Sequence, residues 1–101
     1  MELQQRYGEF QARGAEVIAL AVAPREAVEG VRSAIGASFP ILADPEHRAA
    51  ELYGVYNLLG DGLAAPSVFV VQDGRILWAY VGQNSADRPP VDEILAHLPG
   101  P

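Results

Sequence analysis

Six consecutive apolar residues, Val17-Ile18-Ala19-Leu20-Ala21-Val22, do most to limit what this chain folds into. Alternating apolar and polar residues mark a strand that is wet on one side, whereas an unbroken apolar run marks one covered on both. Such a strand needs layers above and below it, which points to an α/β architecture with a parallel or mixed sheet. The run is too short to cross a bilayer, and the opening Met1-Glu2-Leu3-Gln4 lacks the basic-then-apolar pattern of a secretory leader, so a cytoplasmic protein is the default expectation. With 101 residues, 50% of them hydrophobic, the chain reads as one domain over 1–101 with enough apolar side chains for a core.

The flanking segments fit that layout. Leu3, Tyr7 and Phe10 recur at helical spacing within 2–13, and Gly14 follows where a helix is capped. After the apolar run, Pro24 opens a segment whose Val28, Val31 and Ile35 form a stripe up to Gly36, a crossover helix. Phe39-Pro40-Ile41-Leu42 reads as a short extended piece. Asp44-Pro45 then predicts an N-cap with proline at the first helical position, with Ala49, Leu52 and Tyr53 facing inward up to Gly54. Residues 55–65 read as a glycine-rich loop. Val68–Val71 and Ile76–Val81 flank Gln72-Asp73-Gly74-Arg75, where Asp-Gly predicts a tight hairpin. Pro89-Pro90 leads into a closing helix over 91–98 carrying Ile94, Leu95 and Leu98.

What is missing narrows the chemistry further. The chain has no Cys, Lys or Thr, so it holds no thiol nucleophile, disulfide, Schiff-base amine or P-loop lysine. The formal charge of -6 has the wrong sign for nucleic acid or an anionic membrane, and neither is expected as a partner. His47 and His97 read as surface histidines, since neither has further ligands at useful spacing, and no metal or cofactor is expected. Ser67 lacks a nucleophile-elbow pattern and triad companions. The paired acids Asp92-Glu93 and Glu46 with Glu51 suit solvated helix faces. Trp78 and Tyr80 share one strand face and read as packing. Gly60-Asp61-Gly62 is no phosphate loop, and Ala23-Pro24-Arg25 offers none after the apolar run, which argues against a flavodoxin-like nucleotide binder.

Three stretches, RYGEFQARGAEVIALAV, FPILADPEHRAAELYGVYNL and APSVFVVQDGRILWAYVG, together resemble the redoxin superfamily. The likeness is to its alkyl hydroperoxide reductase and thiol-specific antioxidant branch, the peroxiredoxin-like part of the thioredoxin fold. The stretch SADRPPVDEILAHL is similar to the closing helix of some members. The resemblance implies a thioredoxin-like, three-layer α/β/α domain with a mixed sheet, truncated at its N-terminus. It also implies a family activity of thiol-dependent peroxide or disulfide oxidoreduction, in which a low-pKa thiolate sits at the start of the helix matching 2–13 here. The strand and cysteine loop that precede that helix in the family have no counterpart in this chain. Where peroxiredoxins commonly carry an arginine, Ala65-Pro66-Ser67 matches the proline version found in thioredoxins and their relatives. Ala65, Pro66 and Ser67 are therefore the candidate site, a segment flanking the redox centre, with Pro66 as a candidate cis-proline.

The strand absent from this chain belongs, by the same resemblance, between 17–22 and 68–71, which predicts apolar strand edges needing cover. A homodimer is the expected cover, and a thiol or disulfide protein is the expected partner of the family chemistry. Two functions follow: a redoxin without its reactive portion, or a non-catalytic thioredoxin-like module that binds protein or self-associates.

Overall fold

The computed structural model describes residues 2–99. Along the chain run α1 (Glu2–Gln5), α2 (Tyr7–Ala12), β1 (Ala19–Ala21), α3 (Arg25–Ile35), β2 (Ile41–Ala43), α4 (Arg48–Leu52), β3 (Ser67–Gln72), β4 (Arg75–Val81) and α5 (Val91–Ala96). The strands form two separate ladders: β1 pairs with β2 in parallel, β3 with β4 antiparallel.

The opening helix is broken into two. At Arg6 the chain leaves helical geometry, with φ -108° and ψ 13°. The Glu9 amide there reaches the Arg6 carbonyl three residues back, a tightened turn. The Arg6 guanidinium binds Glu9 at 2.6 Å and Asp92 at 2.7 Å, so it ties the start of α2 to the start of α5. Tyr7 and Phe10 face inward as the spacing predicts.

β1 is shorter and wetter than the apolar run suggests. Only three residues are in strand, and Ile18 and Leu20 are 56% and 52% exposed, so cover on both faces is not observed. The register pairs Leu20 with Leu42, itself 48% exposed. These side chains share one face of a two-stranded ribbon, and a ribbon that narrow shields little of either face. The parallel pairing does follow the expectation: α3 supplies the crossover that a parallel pair requires and lies against β2.

α4 begins later than Asp44-Pro45 predicts. Residues 45 and 46 form a turn, and His47 caps the helix in left-handed geometry at φ 51°. Asp44 still acts at this end, because its Oδ2 accepts the Ala50 amide at 3.0 Å. Ala50 is the buried residue of the helix, while Leu52 is 86% and Tyr53 44% exposed rather than inward-facing.

The hairpin follows its sequence. Asp73 and Gly74 adopt φ 52° and 75°, the pair of positive values a type I′ turn demands, and this is why Asp-Gly occupies the turn. A bulge follows Val70. Two apolar clusters then lie on the ladders. One joins Phe10, Val91, Ile94 and Leu95, with Val17, Val68 and Trp78 packed against it. The other joins Ala50, Val55 and Ala65, with Val22 and Phe69 packed against it. Adjacent residues of a strand point to opposite faces, so Val68 and Phe69 place the clusters on opposite sides of β3. These are the outer layers of an α/β/α arrangement whose middle layer is split.

Candidate functional site

Ala65, Pro66 and Ser67 sit where the chain leaves its glycine-rich loop and enters β3. Ala65 is buried in the second cluster, and its amide donates to the Val55 carbonyl at 2.9 Å. The Pro66 carbonyl accepts the Gly82 amide at 2.7 Å, which closes the far end of the β3–β4 ladder. The Ser67 hydroxyl donates to the Ala65 carbonyl at 3.1 Å and so completes a local turn.

The peptide bond before Pro66 is trans, as every described peptide bond is, which corrects the cis-proline expected here. Trans is the favoured isomer by about 0.5–1 kcal/mol, and the Pro66 carbonyl is taken up by the Gly82 amide in the hairpin ladder. Among the described residues, nothing pairs with β3 on its other side to impose a different path.

A buckle that the sequence did not announce supports this segment. A side chain at Gly82 would meet the Asp87 carbonyl oxygen at 2.4 Å and the Pro66 oxygen at 3.1 Å, so only glycine lets the three backbones approach. Asp87 holds the loop closed: Oδ1 accepts the Tyr80 hydroxyl at 2.5 Å, and Oδ2 accepts the Gln83 amide at 2.8 Å. The Tyr80 bond and then the Gln83 amide hold the Asp87 carboxyl below its ordinary range, while the Asp87 bond raises the Tyr80 hydroxyl above its own. Nothing local in the sequence singles out Asp87 as the residue that reaches Tyr80.

The remaining candidates are not brought together into a second site. His47 stacks on Tyr56 with centroids 3.8 Å apart and lies 3.2 Å from Glu51 through Nδ1, so it is half-buried rather than a free surface group. His97 is exposed and stacks on Trp78 at 4.2 Å. Among the described residues no three His, Cys, Asp or Glu converge as a metal site requires. Arg6 forms the densest ionic group, and its acids push the guanidinium further into its charged state while Glu9 is held below its ordinary value. Sequence reasoning missed this cluster because Asp92 lies 86 positions from Arg6, beyond any local pattern.

Residues 1–79 match the family described as the AhpC/TSA family. No curated protein is matched. Among solved structures the chain is similar to Enterococcus faecalis AhpC, at 24% identity and a TM-score of 0.85, covering 95% of this chain and 59% of that one. It is similar to Mycobacterium bovis AhpC at 24% identity and a TM-score of 0.81, covering 93% and 54%. It is also similar to peroxiredoxin 6 of Arenicola marina at 24% identity and a TM-score of 0.73, covering 93% and 49%. The chain thus spans 49–59% of these proteins' length, and the likeness establishes the fold, the thioredoxin-like arrangement of peroxiredoxins.

Proposed function

The chain belongs to the AhpC/TSA family, the peroxiredoxin-like branch of the redoxins, and on that premise we propose that residues 1–101 are the frame of a thiol-dependent oxidoreductase whose reactive sulfur comes from polypeptide outside them. The observation that carries this reading is the absence of cysteine from a chain with a peroxiredoxin fold. In the chemistry proposed, a thiolate attacks one peroxide oxygen, the O–O bond breaks, and the leaving oxygen departs as alcohol or water after protonation. The sulfur is oxidised by two electrons to a sulfenic acid; one thiol condenses with it to a disulfide and releases water, and a further thiol then displaces the reactive sulfur as thiolate, the two reducing thiols ending joined as a disulfide. Neither serine nor histidine replaces sulfur as the two-electron donor in that step. Ala65, Pro66 and Ser67 then flank the place where the thiol is presented, on the side of β3 away from β4.

The test is peroxide consumption with dithiothreitol as the reductant. Residues 1–101 alone are expected to add nothing to the rate of dithiothreitol by itself. A fusion that places an apolar strand and a cysteine loop ahead of Glu2 is expected to consume peroxide and to lose that activity on cysteine-to-serine exchange. Turnover by the 101 residues alone overturns the proposal, and so does a folded, inert fusion.

A second reading, a self-associating module without chemistry of its own, is favoured by the exposure of Ile18, Leu20 and Leu42. It predicts a dimer in light scattering at micromolar concentration, and a monomer there contradicts it.

A further inference from the structure

Two aspartates of this chain precede a glycine, in Asp61-Gly62 and Asp73-Gly74, and all four residues are exposed. A glycine in that place has no Cβ to shield its amide nitrogen, so the nitrogen can close on the aspartate side-chain carbon. The two pairs differ in how the reacting groups are held. In the first, the Gly62 amide donates to Asn57 Oδ1 at 2.8 Å and Asp61 Oδ1 accepts the Leu63 amide at 3.0 Å. Nucleophile and electrophile are both tied, inside a loop whose neck is closed by the Asn57 amide on the Leu63 carbonyl at 2.8 Å. In the second, the two residues are the turn of the β3–β4 hairpin, with φ 52° and 75°. Among the described residues, neither the Gly74 amide nor the Asp73 carboxyl makes a hydrogen bond.

We infer that Asp73-Gly74 is a modification site, where the folded chain isomerises spontaneously to an isoaspartyl linkage while Asp61-Gly62 is protected. The Gly74 nitrogen attacks Asp73 Cγ in its acid form; a C–N bond forms, the Cγ–OH bond breaks, and the hydroxyl leaves as water with the amide proton. The product is a succinimide ring. Water then adds to one of its carbonyls, and opening at the former main-chain carbonyl leaves the backbone running through Cβ and Cγ of residue 73. No oxidant or reductant takes part. The linkage adds a carbon to the main chain, and a two-residue type I′ turn matches its flanking strands only at the ordinary spacing, so the Gln72–Arg75 pair that closes the hairpin is lost. The freed carboxylate is the group that an isoaspartyl O-methyltransferase esterifies. This inference rests on the turn and the loop alone, and not on where the reactive sulfur resides.

The whole chain is aged in solution at mildly acidic pH, digested, and read by electron-transfer mass spectrometry, which separates isoaspartyl from aspartyl backbone. The isomer is expected to accumulate about tenfold faster at residue 73 than at residue 61, because two hydrogen bonds must open before Asp61-Gly62 reacts. In urea those bonds are gone and the two rates are expected to converge. Asn57→Gly deletes the acceptor of the Gly62 amide, tolerates the φ of 57° at that position, and is expected to speed Asp61 several-fold while leaving Asp73 unchanged. Isoaspartyl O-methyltransferase with radiolabelled S-adenosylmethionine is expected to label the aged chain, and Asp73→Gly, which suits a positive φ, is expected to remove most of that label. Equal rates at the two sites in the folded chain overturn the inference. So does a preference for Asp73 that survives in urea, or an Asp73 that stays intact when folded while the unfolded chain converts. Should Asn57→Gly fail to fold, the comparison of folded and urea-treated chain still decides.

Discussion

The β3–β4 hairpin and the β1–β2 pair are both two-stranded ladders, yet they differ in what completes them. The hairpin has strands of six and seven residues joined by a two-residue turn, and it lays Val68 and Trp78 on the cluster of Phe10, Ile94 and Leu95. The β1–β2 pair has three residues per strand, is joined through α3, and leaves Leu20 and Leu42 half in water. Local turn chemistry fixes a hairpin without help from the rest of the chain. A parallel pair closed over a long crossover depends on neighbours on both sides, and among the described residues β1 has a neighbour on one.

The contrast is broken most directly by core truncation. Phe10→Ala in the hairpin-side cluster is expected to cost about 3–5 kcal/mol in urea unfolding. Leu20→Ser in β1 should stay within about 0.5 kcal/mol, as exposed sites do. Equal losses would mean that Leu20 in β1 is as well packed as the cluster around Phe10 on which the hairpin rests. A smaller effect comes from the buckle: Gly82→Ala drives a methyl group into the Asp87 and Pro66 carbonyls, and a loss of about 1–3 kcal/mol is expected in thermal unfolding. Next comes the turn itself, where Gly74→Ala places a side chain at φ 75° and should cost about 1–2 kcal/mol while leaving the β1–β2 amides unchanged in hydrogen exchange.

The smallest effect is on pH dependence. Asp87 has its folded value depressed below the ordinary 3.8, so its contribution is whole above about pH 4 and is lost as pH falls through the depressed value. Tyr80 has its folded value raised above the ordinary 10.0, so its contribution is whole below about pH 10 and is lost as pH rises through the raised value. Asp87→Asn should flatten the acid limb of a stability–pH curve through this pair. An unchanged acid limb would show that the buckle is not formed.

The same contrast explains what could be read from the residues. The hairpin, α3 and α5 were legible because Asp73-Gly74, Pro24 with Gly36, and Pro89-Pro90 state their boundaries within a few residues. The order of elements and the stretches from Arg6, Phe39 and Ala65 onward were enough for the fold family. The late start of α4 was hidden because Asp44 caps at a distance, through the Ala50 amide, and not at the next turn. The exposure of β1 was hidden because an apolar run states what a strand needs rather than what it receives. At the candidate site, Ala65-Pro66-Ser67 was found by its place before β3, but the trans bond, the Gly82 approach and the Tyr80–Asp87 bond depend on contacts between segments.

The central claim is that the middle layer is split, with free edges on β1 and β3. Residue-resolved amide hydrogen exchange of the chain tests it most directly. A period of two is expected: slow exchange at Ala19 and Val68, which are bonded across their ladders, and fast exchange at Leu20, Ser67 and Phe69, which face away from them. Protection of Leu20 and Phe69 equal to that of Ala19 and Val68 would contradict it.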